Sequence, residues 1–344
     1  MAYKQKLTVL GVIACLLALV FTGTLIFSPE RVSRRDNQYT WLDPKWKDQV
    51  DRIEIRGGEG ETVFVRRNGL WAAVHSGREY PVREGGIADL LSDITARGEY
   101  PVRGKSASSH EKLGLSEAAA SRIILWGGPA SPPLLELLAG DTDLTGNEVY
   151  YRKGGQDEVR SGSNTIAGYL NYSRTSWYDL RLFSGAEGLS PEDVYRLTVI
   201  APSGEGETPP LLPEPLVIAG NGGDWTVDGI AGEALDLSKV KAYIRLVLNS
   251  GGDDFEPGLN LEDPVFNEGR ILVELEDGAS KTLRLGAVLP GSGSDESGRR
   301  RAAVSSDRPY VYVLSPWTMT RLFRDTGYFR KDQADSQTSP YPAP

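Results

Sequence analysis

Cysteine is nearly missing from this chain. Cys15 is the only one in 344 residues, which excludes an intramolecular disulfide and leaves the fold to packing. Histidine is almost as scarce: His75 and His110 are the only two, and with no cysteine beside them they lack the ligand spacing of a zinc site. A surplus of positive charge is lacking as well. The 38 Lys and Arg against 47 Asp and Glu give a formal charge of -9, with the two signs well mixed, so no nucleic-acid partner is expected, because phosphate contacts need a basic face. Catalytic signatures are missing too. There is no Gly-x-Ser-x-Gly elbow, and neither histidine can be assigned as a base from its surroundings. The glycine-rich stretches at 57–62 and 291–298 do not end in the Lys-Ser/Thr of a phosphate loop and read as turns. The expectation is therefore a non-enzyme, with no catalytic, cofactor-binding or metal-binding residues and no cofactor.

What is present is an ordinary globular composition, 40% hydrophobic and 25% charged, enough for roughly two domains. Ahead of it, residues 7–27, "LTVLGVIACLLALVFTGTLIF", run without a charge. As a helix at about 1.5 Å per residue this run spans roughly the 30 Å hydrocarbon layer. It reads as a single-pass anchor in the inner membrane, with residues 1–6 cytoplasmic and the bulk of the chain on the periplasmic, exoplasmic side. Lys4 and Lys6 before it and Arg31, Arg34 and Arg35 after it nearly balance, so charge alone does not orient it. The run is too long for a cleaved signal peptide. "VIAC" ending at Cys15 resembles a lipobox, and lipoprotein anchoring there is a minor alternative, because the sequence stays apolar after Cys15 instead of turning polar. Residues 28–48 form a juxtamembrane linker in which Tyr39, Trp41 and Trp46 either meet headgroups or cover an edge of the first domain.

Beyond the linker one construction occurs twice. "VDRIEIR", "ETVFVRR" and "GLWAAV" alternate apolar and polar residues across glycine turns, as a three-strand meander does, and "VYRLTVI", "EPLVIAG" and "DWTVDG" repeat the series. Each meander leads into helical spacing, at Ile87, Leu90, Leu91 and Ile94, then at Val240, Ile244, Val247 and Leu248. A second β region follows: "SRIILWGG", "PLLELLAG" and "EVYYRK" in the first copy, "GRILVELEDG", "KTLRLGAV" and "PYVYVL" in the second. Closing helices begin at Ser161 or Ser163 and at Ser315, with Pro316 at a first-turn position. The expected fold class is α+β: the transmembrane helix, then two tandem similar α+β repeats at 49–183 and 194–330, a linker at 184–193, and a disordered tail at 331–344. Trp71 and Trp225 hold equivalent places in the third strands and are expected to fill the repeat cores. The Pro/Gly-rich stretch 203–215 reads as a loop at a hairpin tip.

The remaining candidates are weak. Asp141, Asp143, Thr145 and Gly146 begin like a calcium loop, but Arg152 stands where a bidentate Glu is required, and a solvated hairpin turn is preferred. Asp253, Asp254, Glu256, Glu262 and Asp263 form an acidic connector whose pairing as a hydrolase dyad sequence alone does not reveal. Tyr150, Tyr151, Tyr169 and Tyr172 are candidates for lining a ligand groove.

The combination of one N-terminal helix, "VDRIEIR…VFVRRNGLWAAV", "YPV", the helix near residue 90, "EKLGL", the glycine after "LELLA", "VYYR" and "TSWYDLRLF" resembles bacterial domain-of-unknown-function family 4340. The resemblance covers most of residues 50–183 and, more loosely, 194–330, where "DTGYFRK" replaces "SWYDLRLF". Members are often encoded beside gliding-motility-type ABC transporter components. The resemblance thus implies a membrane-anchored accessory protein whose duplicated exoplasmic domain contacts a permease, an ATPase or a transported substrate. With no Walker motif and one apolar run, the chain is neither the ATPase nor a complete permease. The competing expectation is a stand-alone envelope module that binds glycan or peptide. Oligomeric state and ligand contacts are unknown at this level.

Overall fold

The computed structural model describes residues 13–22 and 37–331, apart from 59, 129–131, 203–211, 213, 222–223, 264 and 290–298. The loop expected at 203–215, the turn at 291–298 and the tail beyond Lys331 therefore lie almost wholly outside the described residues. Of the 7–27 run, residues 13–22 are described and helical. Among the described residues no helix is long and apolar enough to cross a membrane. The fold is α+β, and its sheets are antiparallel in every pairing described here.

The chain divides into two compact units. One runs to His75 and resumes over Val82–Trp177; the other takes Ser76–Pro81 together with the chain from Tyr178 onward. The boundary is thus crossed by the chain three times.

Unit 1 opens with β1 (Gln38–Tyr39) and a short 3-10 helix, Pro44–Gln49. The meander follows as β2 (Arg52–Gly57), β3 (Gly60–Arg67) and β4 (Leu70–His75). After β5 (Arg78–Pro81), which belongs to unit 2, comes α1 (Gly86–Thr95), whose Ile87, Leu90, Leu91 and Ile94 are buried at the spacing that an amphipathic helix requires. Then come β6 (Gly98–Glu99), β7 (Val102–Gly104), β8 (Ser121–Trp126), β9 (Leu135–Thr142), β10 (Glu148–Lys153), β11 (Val159–Ser163), α2 (Thr165–Leu170) and α3 (Arg174–Trp177). Within unit 1 eight strands follow the order β4-β3-β2-β8-β9-β10-β11-β7, and β1 pairs with β6. Alternation fixes the register. Ile53 faces Leu125 and Ile55 faces Ile123 across β2 and β8, and all four are buried. Trp177 closes this core edge-on against Phe64, with ring centroids 5.1 Å apart.

Unit 2 contains β12 (Val194–Ile200), β13 (Leu216–Asn221), β14 (Asp224–Val227), α4 (Leu237–Leu248), β15 (Asp254–Phe255), β16 (Gly269–Leu275), β17 (Ser280–Val288), β18 (Arg301–Ser305), β19 (Val311–Leu314) and α5 (Pro316–Leu322). Its sheet follows β14-β13-β12-β16-β17-β18-β19-β15. Element by element this is the order of the eight unit 1 strands. Leu197 faces Val273 and Val199 faces Ile271 across β12 and β16. Asp236 caps α4 by accepting from the Ser238 and Lys239 amides, and Ser315 caps α5 by accepting from the Thr318 amide.

Three expectations need correction. The second β region of each unit has four strands, not three: β11 and β18 were not anticipated, and "PYVYVL" supplies β19 rather than the counterpart of β10. Ser161 and Ser163 do not cap a helix. Both lie in β11, where Ser161 is fully buried and donates to Glu148 (2.6 Å) while accepting from Arg103 (2.7 Å), and α2 begins only at Thr165. Its hydroxyl is thus satisfied by neighbouring side chains and is not turned to a helix terminus. Finally, packing against unit 1 starts before residue 49. Trp41 is buried against Tyr39, Tyr100 and Tyr151, and the expected linker at 184–193 carries two 3-10 turns.

Candidate functional site

Unit 2 holds an open cleft of about 390 Å³. β5 supplies one wall with Arg78, Glu79 and Tyr80; the loop after β15 supplies Leu259, Asn260 and Glu262; the residues leading into β19 supply Tyr310. Its floor is aromatic. Tyr80, buried, stacks on Phe255 with centroids 4.6 Å apart and planes 15° from parallel, and Phe255 in turn meets Tyr178, Tyr310 and Tyr312. Such offset contacts add to the packing area that each ring brings.

The loop is held from both ends. Leu259, Leu261 and Val265 pack on the core cluster around Phe266, Val304 and Val311. On the other side Arg78 donates to the Leu259 carbonyl (3.0 Å) and to Asn260 Oδ1 (3.2 Å), bonds that a planar guanidinium makes together. Glu256 Oε1 accepts from the Gly258 amide and Asp263 Oδ2 from the Asn260 amide, each at 2.8 Å. These carboxylates shape the loop.

Behind Tyr310 and Tyr312 lies a charged brace. Burial by itself would raise the Asp179 carboxyl, but hydrogen bonds from Arg181 (2.7 Å) and Arg308 (2.9 Å) outweigh it and hold the group below its ordinary value. Burial pushes the Tyr310 and Tyr312 hydroxyls up, and Arg308 opposes it at both. The phenols therefore stay neutral donors and acceptors. Tyr312 uses its hydroxyl on the Arg181 carbonyl at 3.0 Å.

The residues singled out by sequence fall elsewhere or act as supports. Trp225 is buried in β14, its ring filling the space over Gly220 directly across on β13. Trp71, the second residue of β4 as Trp225 is of β14, faces Arg66 and is only part-buried. His75 accepts from Arg174 (2.8 Å), and His110 meets the Asp157 carbonyl (3.1 Å) beside Arg152 and Glu117 in a shallow hollow of unit 1. There Arg152 lowers the Glu117 carboxyl through a direct hydrogen bond. Asp143 folds the 143–147 turn by accepting from Thr145, Asn147 and Glu148. Among the described residues no three His, Cys, Asp or Glu side chains group as metal ligands.

Asp253 is engaged by the closing helix, accepting from the Ser315 amide (2.7 Å) and hydroxyl (3.0 Å), which separates it from the role of a partner to Glu262. The four tyrosines do not line one groove. Tyr151 is buried with its hydroxyl on the Ser163 carbonyl, Tyr150 packs beside Leu115 and Leu138, and Tyr169 and Tyr172 pack on Trp177. The cleft residues Tyr80 and Tyr310 went unnoticed in the sequence. Some 230 residues separate them, and each sits in a strand-like pattern that explains itself locally.

No curated protein and no solved structure matches the chain. A family model does, over residues 71–258, a range that begins in β4 and includes Tyr80 and Glu256 of the cleft but ends before Tyr310. On that match the chain belongs to the family described as a domain of unknown function, DUF4340.

Proposed function

We propose that the protein is a non-catalytic, membrane-anchored accessory of an ABC-type transport complex, working on the exoplasmic side by binding a partner or a transported substrate through duplicated modules. The observation that carries the binding role is the unit 2 cleft. It offers an aromatic and aliphatic floor with a few convergent polar groups, the composition of a recognition site, while Glu256 at its wall and the nearby Asp263 and Asp253 are spent on loop and helix geometry. Duplication is supported by the shared strand order and by the matched places of Trp71 and Trp225. Anchoring is supported by the uncharged 7–27 run and by its described part, a helix in which Ile13, Leu16, Leu17, Leu19, Val20 and Phe21 are all exposed, an apolar surface that needs a cover.

The test is affinity purification of the full chain from mildly solubilised native membranes, with an anchor-only control and mass spectrometry of what accompanies it. Recovery of an ABC ATPase and permease supports the role. Their reproducible absence from an intact preparation refutes it and favours the second reading, a stand-alone envelope module, for which the tyrosine, leucine and glutamate lining of the cleft is equally suited to glycan or peptide.

A further inference from the structure

The chain as a whole is acidic, yet one face of unit 2 reverses the balance. The segment after β19 lies antiparallel along α4. Trp317 and Arg321 border Leu246 and Asn249 near the end of the helix; the Tyr243 hydroxyl in its middle donates to the Leu322 carbonyl; and at its start the Asp236 amide donates to Phe329 (2.8 Å) and the Lys331 amide to Ala234 (2.9 Å). Residues 236–248 and 316–331 together contain seven Lys and Arg but only two acids, Asp236 and Asp325. Both acids are helix caps that accept backbone amides.

The arginines of this ribbon are stacked. The Arg321 guanidinium lies 4.3 Å from the Trp317 ring centroid and that of Arg324 lies 4.9 Å from the Tyr328 ring centroid, so each cation sits over an aromatic ring. Lys239 and Lys331 direct their ammonium groups to the carbonyls of Arg330 and Glu233. Lys241 pairs with Glu192 at 2.9 Å. At the two ends of the ribbon stand large exposed apolar side chains, Trp317 at 65% and Leu237 at 47% exposure. Each borders an open hollow, of about 160 Å³ beside Trp317 and about 570 Å³ beside Leu237 and Lys331.

We propose that this face docks on an anionic lipid surface. Exposed tryptophan and tyrosine interleaved with arginine is the chemistry of the bilayer interface, where rings sit at headgroup level and cations meet phosphates. Charge complementarity selects the anionic leaflet, because the remainder of this acidic chain is repelled by it. The inference rests on the anchoring reading only in that the anchor brings a membrane within reach.

The test uses the full chain reconstituted in nanodiscs of neutral lipid or of neutral lipid mixed with phosphatidylglycerol, read by amide hydrogen exchange. The expected result is slower exchange over 237–249 and 316–331 in the anionic discs alone, reversed by high salt. Arg321→Gln with Arg324→Gln weakens the contact on the order of 30-fold, since each basic residue near such a surface contributes about five-fold; Thr326→Glu, a single added charge beside the stacks, weakens it less. Equal exchange in both kinds of disc, with the protein present, overturns the docking face and leaves the anchor standing. Protein absent from both discs overturns both readings. Protection gained only when an acidic protein is added assigns the face to a protein partner and overturns the lipid proposal.

Discussion

The fit of Trp225 over Gly220 can be tested as a pair. A Cβ built on Gly220 falls 2.8 Å from two atoms of the Trp225 ring and 3.1 Å from a third, closer than such contacts occur. The φ of Gly220 is not in the left-handed region, so its backbone accepts alanine, and without the ring Gly220→Ala would gain the few tenths of a kcal/mol that alanine gives in a strand. The clash decides the sign: Gly220→Ala costs about 1–3 kcal/mol by overpacking. Trp225→Ala, which empties a site only 5% exposed, costs about 3–5 kcal/mol through lost transfer energy and the cavity left behind. The added methyl then has room, so the double variant is more stable than the sum of the single effects by at least about 1 kcal/mol. Urea unfolding followed by far-UV circular dichroism, in mild detergent, measures all four proteins without relying on a fluorophore that one change removes. Additive effects, or a neutral Gly220→Ala, refute the packing argument.

Other consequences follow from single sites. Asp179→Asn leaves Arg308 without its carboxylate and costs about 2–3 kcal/mol at neutral pH. Because the folded carboxyl is held below its unfolded value, the stability it contributes is complete above about pH 5 and is lost as pH falls through the unfolded and then the folded value; denaturation curves of wild type and variant should converge in acid, and parallel curves refute the assignment. Ser315→Ala removes the α5 cap and costs about 1 kcal/mol, and Asp253→Ala, which strips two hydrogen bonds from the same residue, lowers the melting temperature at least as much; an unchanged melting temperature in both would contradict the capping geometry. Arg152→Lys keeps the charge but loses the fork that reaches the Leu115 carbonyl and Glu117, for about 1–3 kcal/mol, whereas Glu117→Gln, at an exposed partner, costs less. Thermal unfolding ranks the two, and the reverse order would sink the reading.

Much of the fold was legible because it follows periodicity. The two meanders, the helical stripes at Ile87–Ile94 and Val240–Leu248, and the cap at Ser315 are local patterns that tertiary context did not override. The missed strands lacked that signal. β11 is "VRSGS" and β18 "RAAVS", too small and too polar to read as strands, and β7 and β15 are edge pieces of three and two residues that exist only because a neighbour offers hydrogen bonds. Ser161 shows the same limit: serine before an apolar run signals a cap, but here its hydroxyl is satisfied by Glu148 and Arg103 across two strands. The cleft was least legible. Its walls come from Arg78, Asn260 and Tyr310, brought together by the passage of 76–81 into unit 2, a long-range event with no local sequence mark.

The central claim is that the protein works by contact through the unit 2 cleft. The most direct measurement places a photoreactive phenylalanine analogue at Glu262, on the rim, and for comparison at Leu144, the fully exposed tip of a unit 1 hairpin, and irradiates intact cells before mass spectrometry of the adducts. The account predicts adducts with a transport component or an exported substrate from the Glu262 position and few from Leu144. Adducts of equal yield and identity at both positions, or none at Glu262 with the protein folded and abundant, would contradict it.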